Sequence, residues 1–254
     1  ISQIYKNASI PDSIRIEDLI SRMTDEEKFR QLFMIPGDPF HDTLLYRAGL
    51  FGFQVNTQSK DMEAAGQLLN RDGGNSASET AEMINRIQRF FLNDSRLGIP
   101  VIPFDEALHG LVRKGATSFP QAIGLAASWN TNLMHSVGLA IALECKTRGI
   151  RQVLSPVVNV ATDVRWGRTE ETYGEDPFLV SEMAVAFITA FEQNGLIATP
   201  KHFVANVGDG GRDSYPVHFS ERYMRELHFP PFEASIRRAG ARSVMTAYNS
   251  YDGL

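Results

Sequence analysis

Cys145 is the single cysteine among 254 residues, so an internal disulfide is excluded. No apolar run reaches the ~20 residues of a membrane span, and no membrane association is expected. Basic blocks are missing as well. The 25 Lys and Arg stand against 30 Asp and Glu, a net charge of −5, which gives no electrostatic footing for nucleic acid. The six His show no HExxH or comparable spacing, so neither a metal nor another cofactor is expected. There is no GxGxxG after the first strand-like run and no GKS phosphate loop. The opening "ISQIYKNASIPDS" lacks the charged-then-apolar pattern of a signal peptide and does not begin with Met, which reads as a start downstream of the original one. What is present is an ordinary globular composition, 43% hydrophobic and 22% charged with 20 Gly and 12 Pro. The length suits one large domain or two small ones.

Four segments repeat one layout: "GIPVIPFDEALHG" from Gly98, "GIRQVLSPVVNVA" from Gly149, "GLIATPKHFVAN" from Gly195 and "GARSVMTAYNSYDG" from Gly240. Each has a glycine, a short apolar run, then polar residues and a loop. Helical patterns lie between them. Asn130 caps a helix carrying Leu133, Val137 and Ile141, closed by Gly149; Asp176 and Pro177 open another with Val180, Met183, Ala184, Phe187 and Phe191 on one face, ended by Gly195. Pro230 and Pro231 divide the helix after Ser220. "TDEE" and "SASE" fit capping boxes at Thr24–Glu27 and Ser76–Glu79, and the apolar runs at 32–35 and 50–55 read as two further strands. Segments 37–42, 56–61 and 70–75 read as loops. The sum is an α/β fold with parallel strands, a (β/α)8 TIM-type barrel that is incomplete here, with about six βα units.

Polar residues gather where these strands end, which is where barrel enzymes build their sites. Asp105, Asn159, Asp163, Lys201, His202, Tyr248 and Asn249 are the strand-end candidates, and Arg165, Trp166, Arg168 and Arg212 follow in loops. Carboxylates, cations, an imidazole and aromatic faces suit a neutral polyhydroxyl ligand, since each hydroxyl can donate to an anion and accept from a cation. Blander readings exist for each residue taken alone. Lys201 and His202 fit an exposed strand end, and Asp163, Arg165 and Arg168 fit a loop ion-pair cluster. Glu170, Glu171, Glu175 and Asp176 read as acids favoured at a helix N-terminus, and Trp129 as packing.

The stretches "IPFDEALHG", "SPVVNVATDVRWGRTEETYGEDPFLV", "KHFVAN", "YMRELHFPPFEASI" and "SVMTAYNSYDG" resemble the amino-terminal barrel domain of glycoside hydrolase family 3, the β-glucosidase and β-xylosidase group. Val164 stands where that family usually has proline. "KHFVANVG" followed by "DSY" departs from the β-N-acetylglucosaminidase branch, which carries a histidine in that loop.

The resemblance implies a retaining exo-β-glycosidase acting on terminal non-reducing β-D-glucosyl residues, with this chain supplying most of the −1 sugar pocket. Asp105 would grip the 4- and 6-hydroxyls, Arg168, Lys201 and His202 the remaining hydroxyls, and Arg212 and Tyr248 would line the pocket near the reacting carbon. It also implies cis peptide bonds at Lys201–His202 and Phe203–Val204. The catalytic aspartate and glutamate are expected after Leu254, in the rest of the barrel and a second α/β domain; Asp209 and Asp213 match neither. A periplasmic or secreted location and a homodimer are compatible with it. Three alternatives stay open: a β-xylosidase of the same family, a Schiff-base aldolase using Lys201, and a non-catalytic carbohydrate-binding fragment.

Overall fold

The computed structural model describes residues 3–37, 39–55, 75–208, 211–213 and 215–254. The loops read at 56–61 and 70–74, residue 38 and Asp209 lie outside these. The chain divides into two compact units, residues 1–63 with 82–103 and residues 64–81 with 104–254.

The first unit begins with helices α1 (Asp12–Arg22) and α2 (Asp25–Arg30). Thr24 caps α2 as its sequence predicts: Glu27 N–H donates to Thr24 Oγ1 at 3.2 Å, and Thr24 N–H donates to Glu27 Oε2 at 2.8 Å. Strand β1 (Met34–Pro36) pairs in parallel with β2 (Gly52–Gln54). Residues 39–42, read as loop, form a 3₁₀ turn. Helix α3 (Ala77–Asn93) buries Ile84, Ile87 and Phe91. At the start of β3 (Ile102–Asp105), Ile102 N–H donates to Phe51 O at 2.9 Å. A Cβ on Gly52 would lie 2.6 Å from Ile102 O, so this close approach requires glycine.

In the second unit, Phe104 and Asp105 of β3 pair in parallel with β4 (Gln152–Val153), which pairs in parallel with β5 (Ile197–Ala198). The chain then passes through Thr199 and Pro200 into β6 (Lys201–Phe203), which pairs with β7 (Met245–Thr246). The six predicted strand positions all form strands, and the one after Gly195 is split in two. Pro200 explains the split, since it has no N–H to donate; its carbonyl instead accepts from Met245 N at 3.2 Å.

Helix α4 (Ala122–Ala126) carries no capping side chain and is absent from the sequence reading, whereas α5 (Thr131–Thr147) and α6 (Pro177–Glu192) follow their predicted signals. Asn130 Oδ1 accepts from Leu133 N at 3.0 Å, and Asp176 Oδ1 accepts from Leu179 N at 2.7 Å. All five predicted core residues of α6 are buried, as are Val137 and Ile141 of α5; Leu133, predicted with them, is 44% exposed, and Met134 and Cys145 face the core instead. Gly138 sits where α5 meets α6; a Cβ there would be 3.1 Å from Ala190 Cβ. After Ser220, a single α-turn, α7 (Glu221–Tyr223), runs into a π-helical segment, Met224–His228, and α8 (Pro230–Arg237) begins at the proline. Trp129, expected to pack, is 73% exposed.

Candidate functional site

The strand ends of the second unit bring most of the predicted residues together. The peptide bonds Lys201–His202 and Phe203–Val204 are both cis, as the resemblance implies. Lys201 is buried, and its Nζ donates to Glu106 Oε1 at 3.0 Å and Oε2 at 2.9 Å. His202 is fully buried. Asn159 fixes it from just beyond Val157, which bridges Lys201 in parallel: Asn159 Nδ2 donates to His202 O at 3.0 Å, and Asn159 Oδ1 accepts from His202 N at 2.9 Å.

That orientation of the amide determines the imidazole tautomer. Nδ1 lies 3.0 Å from Asn159 Oδ1, an oxygen that can only accept, so Nδ1 carries the proton. Nε2 then has a bare lone pair, and this buried atom has no hydrogen-bond partner among the described residues. Burial, reinforced by the positive charges of Arg168, Lys201 and Arg212, pushes the His202 value down to about 2. The ring is neutral.

The loops after β4 and β6 supply the remaining charges. Buried Arg168 donates from Nε to Glu171 Oε1 at 2.9 Å and from Nη2 to Glu171 Oε2 at 2.7 Å, and from Nη1 to Asp213 Oδ1 at 3.0 Å. Burial opposes its charge, yet the bonds to Glu171 and Asp213 outweigh this and raise its value. Arg212 Nη1 donates to Asp213 Oδ2 at 2.8 Å, and Asn206 Nδ2 donates to Asp213 Oδ1 at 3.2 Å. Trp166 packs with Val157 and Val207 beneath these loops, and its Nε1 donates to Arg212 O at 2.8 Å. Tyr248 is half exposed with its ring centroid 5.4 Å from that of His202. Burial raises its hydroxyl value, and the Arg168 charge works in the opposite direction.

Asp105 is placed differently. It is buried, with Oδ2 accepting from Arg113 Nε at 2.9 Å and Nη2 at 2.6 Å, and Oδ1 accepting from Glu106 N at 2.8 Å. Burial outweighs the pull of Arg113 and raises its value to about 6. Burial lifts the Cys145 thiol, and the Asp105 charge adds to that rise. The carboxylate in contact with Lys201 is Glu106, one residue on. Adjacent residues at a strand end point to opposite sides, so the "DE" pair divides between the two.

Glu171 also departs from its reading as a helix-terminal acid: it is buried and grips Arg168, while Asp176 does cap α6. Its three-residue spacing from Arg168 was the available signal, as the neighbouring Arg212 was for Asp213. Arg113 had none. The bland reading holds for Asp163 and Arg165, an exposed ion pair at 2.6 Å. Among the described residues, no group of three His, Cys, Asp or Glu is placed to hold a metal ion.

Residues 24–254 match the sequence model of the glycosyl hydrolase family 3 N-terminal domain. The chain belongs to glycosyl hydrolase family 3. A β-xylosidase from Formosa agariphila is 39% identical over 181 residues, covering 63% of this chain and 24% of that protein. A β-glucosidase from Rhizobium radiobacter is 36% identical over 165 residues, covering 62% of this chain and 20% of its own length. The chain thus spans about a quarter or less of these family 3 relatives. A solved β-glucosidase from Erythrobacter marinus superposes with a TM-score of 0.83 at 31% identity, covering 100% of this chain and 34% of that one. An exo-1,3/1,4-β-glucanase from a Pseudoalteromonas species gives 0.76 at 27% identity, covering 100% and 32%. These family 3 neighbours bear out the fold as α/β, an incomplete TIM-type barrel.

Proposed function

We propose that this chain supplies most of the −1 sugar pocket of a retaining exo-β-glycosidase that removes terminal β-D-glucosyl residues. In this reading Glu106, Lys201, His202, Arg168, Arg212 and Tyr248 meet the sugar. Asp105, first expected to grip the 4- and 6-hydroxyls, acts behind the pocket by holding Arg113, because its oxygens are already committed and buried. The observation that carries the reading is the charge balance. Arg168, Lys201 and Arg212 are matched by Glu106, Glu171 and Asp213, and His202 is neutral. A site without net charge that is dense in donors and acceptors suits an uncharged polyhydroxyl ligand. The bare Nε2 of His202 supports the same reading, since it needs a donor and a sugar hydroxyl is one.

The same balance disfavours the aldolase alternative. Lys201 is an ion-paired ammonium, whereas Schiff-base attack needs a free amine, and a ketose phosphate would bring unmatched charge. Each of the three carboxylates in the pocket is committed to a cation, so none is assigned here as the nucleophile. The Formosa agariphila relative supports β-xylosidase as the second reading.

The test is hydrolysis of para-nitrophenyl β-D-glucoside and β-D-xyloside by the protein that carries this chain, with Lys201→Ala and Arg168→Ala beside it. Loss of a charge-assisted bond worth ~1.5–3 kcal/mol predicts a drop in kcat/KM of roughly ten- to 150-fold for each. Unchanged kinetics in both variants would contradict the proposal, as would borohydride trapping of a ketose phosphate on Lys201.

A further inference from the structure

We propose that Glu171 is a positioning residue for sugar recognition, holding the Arg168 guanidinium in the orientation that faces the ligand. The inference rests on the pocket reading above and assigns Glu171 a role in it. Arginine has five N–H donors in a fixed plane. On Arg168, Nε–H and one N–H of Nη2 go to Glu171, and one N–H of Nη1 goes to Asp213. One N–H on each terminal nitrogen lies outside these bonds, and Arg168 acts on the Tyr248 hydroxyl by its charge and by a hydrogen bond.

The two-point grip on Glu171 fixes both the plane and the rotation of the guanidinium, which one bond could not do. Glu171 can hold it because its backbone is set in the 3₁₀ turn Thr169–Glu171 that immediately follows Arg168. Its carboxylate is also 3.6 Å from Arg212 Nη2, so it restrains the second guanidinium more loosely. Asp213 joins both arginines from a more exposed position. Glu171 is therefore the fixed anchor and Asp213 the bridge. Glu171 never touches the sugar and acts through Arg168.

A purely structural Glu171 would behave differently from a positioning one. Loss of a structural contact lowers the amount of folded enzyme, which reduces apparent kcat and leaves KM alone. Loss of positioning weakens ground-state binding, which raises KM and leaves kcat nearly unchanged. The experiment compares Glu171→Gln, Glu171→Asp, Arg168→Ala and the double variant Glu171→Gln/Arg168→Ala with wild type, on para-nitrophenyl β-D-glucoside and β-D-xyloside. The protein carrying the chain is used, with active enzyme counted by the melting transition.

On the better substrate, Glu171→Gln is expected to raise KM about tenfold with kcat within threefold, and Glu171→Asp to raise it less. In the Arg168→Ala background, Glu171→Gln should add almost nothing, because the group it positions is gone. Should Glu171→Gln fail to fold, the same KM rise in Glu171→Asp carries the test. Unchanged KM in every foldable Glu171 variant, or effects that simply add to those of Arg168→Ala, would overturn the positioning role while the pocket reading survives. Unchanged KM in Arg168→Ala itself would overturn the positioning role and, with Lys201→Ala equally silent, the pocket reading too.

Discussion

Glu106 and Asp105 adjoin in sequence, and opposite consequences follow from neutralising each. In Glu106→Gln, Lys201 keeps its burial but loses the anion bonded at 2.9 and 3.0 Å. The amide oxygen still accepts one bond, so the loss is that of charge assistance to Lys201 and to a sugar hydroxyl, about 1.5 kcal/mol each. Glu106 is 35% exposed on its side chain, so water offsets part of the ion-pair loss. The net expectation is a fall in kcat/KM between about ten- and 100-fold, carried mostly by KM, with little change in melting temperature. Asp105→Asn breaks an ion pair whose side chains are 5% and 11% exposed. Neutralising Asp105 leaves the largely buried Arg113 without this anion, which lowers the melting temperature. The burial cost of the Asp105 carboxylate is relieved at the same time, so the net loss falls short of that of a fully favourable pair, and KM should stay within threefold. Steady-state kinetics on para-nitrophenyl β-D-glucoside and differential scanning fluorimetry, run on both variants, separate the two. A large KM effect in Asp105→Asn with an unchanged melting temperature, beside a silent Glu106→Gln, would refute the assignment.

The raised Asp105 value also sets a pH signature. Its folded value near 6 exceeds the ordinary 3.8, so the stability it contributes is fully present below about 3.8 and is lost as pH rises through 6. The melting advantage of wild type over Asp105→Asn should therefore shrink between pH 4 and pH 7, and a gap that widened would mean that the Arg113 pair outweighs burial. His202 should show no ring titration by NMR between pH 4 and pH 8, with the proton on Nδ1 throughout; an inflection near 6.5 would show that the ring is less enclosed than described. Because its folded value is depressed, the stability it contributes is present above 6.5 and lost as pH falls. Asp163→Ala, which breaks an exposed pair within the loop, should change neither kinetics nor melting temperature.

Local signals were the legible ones. The capping boxes, Asn130, the Asp176–Pro177 start and the spacing of apolar residues on α6 each act within one helical turn, and each appears as read. Strand positions followed from apolar runs of a few residues. The break at Pro200 was readable in kind, since proline lacks an N–H, but which neighbour each half would pair with depends on contacts distant in sequence. Lys201, His202, Arg168, Arg212 and Tyr248 were brought forward by position and resemblance, and the fold draws them together. Which of two adjacent carboxylates faces Lys201 was not legible, because the direction of a side chain at a strand's last residue depends on where the following loop departs. Glu171 was misread for a similar reason: a carboxylate near a helix start satisfies the dipole rule whether or not an arginine behind it has a prior claim. Asp213 reaches Arg168, and Asn206 reaches Asp213, only through contacts of the loop after β6 that are distant in sequence from Arg168.

Whether the strand ends of the second unit hold a neutral sugar is decided by a crystal structure of the protein carrying this chain with glucose bound. A glucose hydroxyl is expected to donate to His202 Nε2, and others to lie within hydrogen-bond distance of Lys201 Nζ, Arg168 and Glu106, with Asp105 still bound to Arg113 and making no sugar contact. Glucose ordered elsewhere while these groups keep only each other, or a hydroxyl held by Asp105, would contradict that placement.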